Sequence, residues 1–368
     1  MIASCYLDVH GAIGCTITSK QFQEKHCSEL SRQRGGAGFA ARQDMLAQSP
    51  RSLTGSEAEG AGEFRAAEEE FRRRRSVRAP PLYDAAEQEG YDCDACDAGR
   101  WNCHMLLGDF EAAWKESDAI ARRGNPDPNR FWTGIPLAGQ DVMLRCLHGL
   151  GDTIQFLRYA PLIKREARTL TIEAQPALEK LIQNCGLADN VITWGEPEPP
   201  WSVQLEVMEL LRVFRTVVSS IPNEMPYLRM QPTEKTVMSR QLQVALVWAS
   251  SRFNPARSIP LEALAGICDV AGCDFFSLRG EPKRGELLDT GRAFRDMYDR
   301  TNCPLRAAKT LLMMDLLITV DTMMAHLAGA LGVRVWTLLH HAADWRWLLE
   351  RRDSPWYPTL FRQAKAGD

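Results

Sequence analysis

From Asp141 to Leu339 the sequence alternates short, almost continuous apolar runs with stretches of helical period, and this constrains the fold more than any other feature. VMLRCL (142–147), TLTIEA (169–174), NVITW (190–194) and VQLEV (203–207) read as strands, with helices over 153–166 and 176–185. The segment 222–235 carries three prolines and reads as an interdomain linker. The cycle then restarts with QVALVWA (243–249), FFSLRG (275–280), LLITV (316–320) and VRVWTLL (333–339), and helices over 261–270, 304–314 and 322–331. Strands apolar on both faces and separated by helices belong in a parallel sheet covered on both sides. Two such cycles predict an α/β protein with two parallel-sheet domains, 129–235 and 236–368. Ligands of such folds bind where the carboxyl ends of the strands face a cleft.

The first 128 residues break this pattern. Residues 1–90 are rich in Gly, Ser, Gln and Arg without a period and contain the charge block EEEFRRRRSVR, so low order is expected there. Ala, Glu and Arg favour a helix from Glu57 to Arg75, but nothing nearby supplies it with a core. Residues 91–128 predict a helical hairpin that turns at Gly108-Asp109, like a single tetratricopeptide unit, and Gly124–Pro128 ends it. Cys93, Cys96, Cys103 and His104 lie too close together for a common zinc finger, and no second pair follows, so no metal is assigned.

A net charge of −3 gives no general reason to bind nucleic acid or an anionic membrane. No apolar run approaches the roughly 20 residues needed to span a bilayer. The N-terminal stretch lacks a basic leader and is interrupted by Asp8 and His10. The eleven cysteines are scattered, several within apolar runs, and read as reduced thiols of a cytoplasmic protein. Peripheral contact with a membrane is left open.

Three stretches carry chemistry. In His148-Gly-Leu-Gly-Asp-Thr153, Gly149 and Gly151 allow a tight strand-to-helix turn, and Asp152 stands at the cleft edge. Asp152 reads either as a base for an attacking hydroxyl or simply as a helix cap. Thr153 and Gln155 follow and are grouped with the two glycines on the acceptor side. Beyond the strand 243–249, Ser250, Ser251 and Arg257 offer the hydroxyls and forked cation that suit a diphosphate, or else a plain polar loop. In LLITVDTMMAHLAGALG (316–332), a buried strand delivers Asp321 and Thr322 to a helix start, with His326 one turn further on. Ala325, Ala328, Gly329 and Ala330 keep that helix slim. Trp345, Trp347, Trp356 and Tyr357 read as packing for the end of the domain, with stacking on a base or sugar as the other reading.

Taken in order, RFWTGIPLAG, GLGDTIQFLRYAP, VALVWASS…RSIPL, DLLITVDTMMAHLAGALG and DWRWLLERRDSPWYP…LFRQ make residues from about 130 to 363 resemble glycosyltransferase family 9. This is the heptosyltransferase-like family, and the likeness is to its tetratricopeptide-associated bacterial forms. The resemblance implies a GT-B-like arrangement of two Rossmann-like domains. It implies transfer of a sugar, a heptose among the candidates, from a nucleotide-diphosphate donor to a saccharide of the cell envelope or to a protein. Asp152 would be the base; Ser250, Ser251, Arg257, Asp321, Thr322 and His326 would hold the donor. Inversion without a metal or other cofactor is implied, and no Asp-x-Asp stands at a strand end from Asp141 onward. A non-catalytic relative that binds a nucleotide sugar or a partner protein is the alternative.

Overall fold

The computed structural model describes residues 55–124, 130–230, 240–250, 254–278, 294–299, 302–349 and 351–364. It divides into two compact units: residues 1–107 with 112–127, and 108–111 with 128–368.

The first unit is helical: α1 (Gly55–Arg72), α2 (Ala79–Gln88), α3 (Cys93–Leu107) and α4 (Phe110–Arg122), with the turn expected at Gly108-Asp109. The sequence predicts one hairpin after a low-order region, but α1 and α2 precede it with a core of their own. Ala67, Ala79, Tyr83, Ala86, Cys96 and Cys103 form that core. The Tyr83 ring lies against Gly99, where a Cβ would sit 2.3 Å from a ring carbon. Arg100 gathers Asp84 at 2.9 Å, Glu87 at 2.7 Å, Glu116 at 3.3 Å, and Asp97. Buried charge of this kind persists only when several partners surround it. The expected low order of residues 1–54 lies outside the described residues.

The second unit carries two wholly parallel sheets, as the alternating pattern requires. In the first, β1 (Asp141–Arg145), β2 (Thr169–Ala174), β3 (Asn190–Thr193) and β4 (Val203–Glu206) lie in the order β3-β2-β1-β4. The connections carry α5 (Leu150–Phe156), α6 (Ala160–Glu166) and α7 (Glu179–Cys185), and α8 (Leu210–Val213) follows β4. In the second sheet, β5 (Leu242–Val247), β6 (Cys273–Ser277), β7 (Arg295–Asp296), β8 (Leu316–Val320), β9 (Val335–Leu339) and β10 (Leu360–Ala364) lie in the order β10-β9-β8-β5-β6-β7. Among the described residues its helices are α9 (Leu261–Leu264), α10 (Pro304–Leu311) and α11 (Met323–Ala330). These are two Rossmann-like halves of an α/β fold.

The strand order fixes where a ligand can sit. The first sheet grows from β1 to β3 in one direction and then places β4 on the other side of β1. The second grows from β5 to β7 and then places β8 on the other side of β5. The chain therefore reverses direction at β1/β4 and at β5/β8, and at such switch points the connecting loops part to leave a crevice. The loops after β1, β5 and β8 are the three stretches singled out from sequence. The helix expected over 153–166 is interrupted: α5 starts earlier, at Leu150, a 3-10 turn spans Leu157–Tyr159, and Pro161 opens α6. The first turn of a helix tolerates proline because its N–H has no partner there in any case.

Candidate functional site

The turn after β1 and the turn after β8 meet. Gly151, in the first turn of α5, faces α11 so closely that a Cβ would lie 3.0 Å from His326 Cδ2 and 3.5 Å from Met323 Cα. Glycine is required here by close approach, not by backbone conformation.

Asp152 fills one of the two roles the sequence allowed, that of helix cap, and its second oxygen is paired. Its Oδ2 accepts the Gly149 N–H at 3.0 Å, which caps α5. Its Oδ1 accepts Arg346 Nη2 at 2.6 Å. The Asp152 side chain is 29% exposed and Arg346 only 9%. Arg346 also pairs with Asp344 through Nη1 at 2.8 Å, and Asp344 in turn accepts the Arg346 backbone N–H at 3.0 Å. The guanidinium lies 4.9 Å from the Trp345 ring centroid and 5.8 Å from that of Phe156.

On the other side, Asp321 ends β8 and is buried. Burial pushes its carboxyl above the usual range, while Arg257, 3.3 Å from Oδ2, pulls it back. Thr322 caps α11 by accepting the Met324 N–H at 3.2 Å, and its hydroxyl lies 3.3 Å from that of Thr319. His326 is wholly enclosed. Its Nδ1 lies 3.0 Å from the Tyr357 hydroxyl, and its ring stacks on Trp347 at 5.6 Å. Burial, followed by the charges of Arg346, Arg158 and Arg257, pushes its pKa down to about 3, against a weaker opposing pull from Asp344. His326 is therefore neutral at pH 7 and sits in a positive field.

Arg158, on the turn after α5, contributes to that field from inside the fold. It donates to the carbonyls of Gln155 (2.8 Å), Pro222 (3.1 Å) and Trp356 (2.6 Å). Its guanidinium lies 4.7 to 5.3 Å from the ring centroids of Tyr357, Tyr227 and Trp356. No carboxylate pairs with it in these contacts, so its charge is held by carbonyls and aromatic faces.

Of the residues picked out from sequence, Gly149, Gly151, Asp152, Asp321, Thr322 and His326 stand on these two turns or the helices they open, and Arg257, on the loop after β5, joins them through Asp321. Ser250 follows β5, but its hydroxyl donates to the Asn254 carbonyl, and its N–H donates to Ser258 Oγ at 3.0 Å. Ser251 lies outside the described residues. Thr153 and Gln155 are not in a loop: both are fully buried within α5, and Thr153 bonds Gln175. The helix begins at Leu150, one turn before the expected start, and turns these side chains inward.

Arg346 and Asp344, which the sequence reading does not pick out, adjoin these turns, as do Trp347 and Tyr357, which it gives as packing or as a stacking surface. Their stretch was read as packing, and Trp347, Trp356 and Tyr357 are indeed buried. The overlooked signal was the pair of charges embedded in Asp344-Trp-Arg-Trp347, since charge inside an aromatic cluster needs partners.

Among the described residues no His, Cys, Asp and Glu side chains are grouped to hold a metal ion, and no helix is long and apolar enough to cross a membrane. The eight described cysteines are free thiols, and Cys96 and Cys103 belong to the helical core.

The sequence matches no protein-family model and no curated protein. Solved structures resemble it at low identity. A glycosyl transferase family 9 protein from Veillonella parvula is 12% identical with a TM-score of 0.47, over 63% of this chain and 87% of that one. The E. coli ADP-heptose LPS heptosyltransferase II is 11% identical with a TM-score of 0.45, over 61% and 90%. The iron-containing dodecameric glycosyltransferase TibC of enterotoxigenic E. coli is 12% identical with a TM-score of 0.43, over 55% and 59%.

Proposed function

We propose that this protein is a glycosyltransferase that moves a sugar from a nucleotide-diphosphate donor to a hydroxyl of a saccharide or protein acceptor, with Asp152 as the base. One observation carries the reading. The two turns that meet at the switch points bring a partly exposed carboxylate opposite a helix start where three arginines act on a neutral, buried histidine. A helix start with its N–H groups, backed by forked cations, suits a diphosphate.

In the proposed reaction an Asp152 oxygen takes the acceptor proton as the acceptor oxygen bonds the anomeric carbon. The bond from that carbon to the diphosphate oxygen breaks on the opposite face, which inverts the centre. Negative charge grows on the leaving diphosphate, so Arg257 and the N–H groups opening α11 favour the transition state over the ground state. Neutral His326 adds no charge of its own to this site. Donor-held fixed dipoles of this kind are typically worth about 3 kcal/mol each.

The test is Asp152→Asn, assayed for sugar transfer and for nucleotide binding. Transfer should fall at least a hundredfold while nucleotide binding persists. Equal loss of binding and of cooperative melting would reduce Asp152 to a helix cap.

A further inference from the structure

Resting on that transferase reading, we propose that Arg346 is a positioning residue shared between Asp152 and the donor diphosphate. Diphosphate binding draws it off Asp152 and so frees the base only when a donor is in place.

The two oxygens of Asp152 are not equivalent. Oδ2 accepts the Gly149 N–H and is tied to the cap of α5, which must stay for the helix to stay. Oδ1 is the oxygen left for an acceptor hydroxyl, and Arg346 Nη2 occupies it at 2.6 Å. A guanidinium that close competes directly with the hydroxyl whose proton has to be taken.

Of the two carboxylates that Arg346 meets, one is fixed and one exchangeable, and its Nη2 also lies 3.7 Å from Met208 Sδ. Asp344 holds both its Nη1, at 2.8 Å, and its backbone N–H, at 3.0 Å, and its side chain is only 6% exposed. Asp152 holds Nη2 alone and is 29% exposed. Pivoting about Asp344, the guanidinium can leave Asp152 while it keeps the Trp345 face 4.9 Å away. Its charge already reaches the helix start that would take the diphosphate, because it acts on both Asp321 and His326. A diphosphate offers several anionic oxygens in a forked geometry that matches guanidinium, whereas Oδ1 of Asp152 offers one.

The experiment measures binding of ADP, UDP, GDP and inorganic pyrophosphate by calorimetry to four forms of the full chain. These are the wild type, Asp152→Asn, Arg346→Gln and the double variant, each checked for cooperative melting. If Asp152 competes for Arg346, Asp152→Asn binds the diphosphate three- to tenfold more tightly than wild type, and Arg346→Gln binds it at least tenfold more weakly. The double variant then matches Arg346→Gln, since the competitor matters only through the arginine. Simple relief of charge repulsion would instead preserve the Asp152→Asn gain in the double variant, and this result overturns the proposal. An Asp152→Asn form that binds no more tightly than wild type overturns it as well. If Arg346→Gln does not fold, Arg346→Lys replaces it, because one ammonium cannot bridge two partners and should lose most of the coupling. Binding that is lost in Asp321→Ala yet indifferent to Asp152 sinks the switch and spares the donor site. No binding by any form sinks both.

Discussion

Replacing Gly329 with alanine tests whether the packing of α11 sets the site. A Cβ at this position would lie 2.5, 2.6 and 2.9 Å from Cδ1, Cγ and Cε1 of Tyr357. Ordinary contact begins near 3.4 Å, so the ring would have to retreat by about 0.9 Å. The surroundings oppose that movement. Tyr357 is fully buried, the Arg158 guanidinium lies 4.7 Å from its centroid, and its hydroxyl is held 3.0 Å from His326. Alanine gains about 1 kcal/mol over glycine inside a helix, whereas overpacking costs about 1–3 kcal/mol. With three ring atoms under 3.0 Å, the upper part of that range applies and the net loss should be about 2 kcal/mol. Gly62 in α1 is the internal control: a Cβ there meets nothing within 4 Å, so Gly62→Ala should stabilise its unit by about 0.5–1 kcal/mol. Urea unfolding of both variants reads the two signs. Nucleotide binding should weaken in Gly329→Ala alone, because His326 loses its tyrosine. A Gly329→Ala protein as stable as wild type, with undiminished nucleotide binding, would refute the reasoning.

The remaining predictions concern pH and one further glycine. The His326 pKa is depressed to about 3, so its contribution is present above the unfolded value of 6.5 and lost as pH falls below it. Wild type should lose about 2 kcal/mol more than His326→Gln between pH 7.5 and 5 in urea titrations. Burial pushes Glu209 the other way, to about 7, although it accepts the N–H groups of Phe131, Trp132 and Glu206. Its contribution is present below the unfolded value of 4.5 and fades as pH rises through 7. Glu209→Gln should therefore remove a decline of about 2 kcal/mol between pH 5 and 8, and an unchanged slope would discard this assignment. Gly151→Ala should weaken nucleotide binding more than it lowers stability, since the added methyl meets the His326 ring edge at 3.0 Å where the two turns touch, a milder overlap than that at Gly329. Calorimetry and urea unfolding on one preparation compare the two losses.

The parallel sheets were legible because their signal is local. TLTIEA and LLITV became β2 and β8 without a residue of error, being β-branched runs bounded by polar or small residues. The four-helix unit was half hidden because, Tyr83 apart, the buried centre of its core is built from small residues. Ala67, Ala79, Ala86, Cys96 and Cys103 form no broad apolar stripe, and only the partner helix makes them a core. The first sheet also departs from an apolar interior. Arg145 is fully buried yet bonds Gln204, Glu173 and Glu198, with the Trp201 ring 5.6 Å away. Within VMLRCL that arginine looks like an interruption, and its three partners lie 28 to 59 residues away. Distance in sequence hid Arg346 for the same reason, since its contact with Asp152 spans 194 residues. The helix cap of Asp152 is made within its own turn, and that reading could be made from sequence. Roles defined by a distant partner could not be read there.

Capping, which the structure shows, and catalysis, which is proposed, were rival roles for Asp152 in the sequence and are compatible in this geometry. A carboxylate free to rotate would spend most of its time turned away from a reacting hydroxyl, and fixing it in advance is a large part of what a catalytic site contributes. The Gly149 N–H does this by holding Oδ2, so that Oδ1 points at Arg346. The same economy extends to the charges. Arg257 rests on Asp321, and Arg346 rests on Asp152 and Asp344, so the cations that the proposal gives to a diphosphate are already partly desolvated and oriented. Leaving them unpaired would cost several kcal/mol per ion, and pairing them with residues that cannot let go would leave the site inert. Partly exposed Asp152 meets both conditions, which is why the exchange is assigned to it and not to buried Asp344.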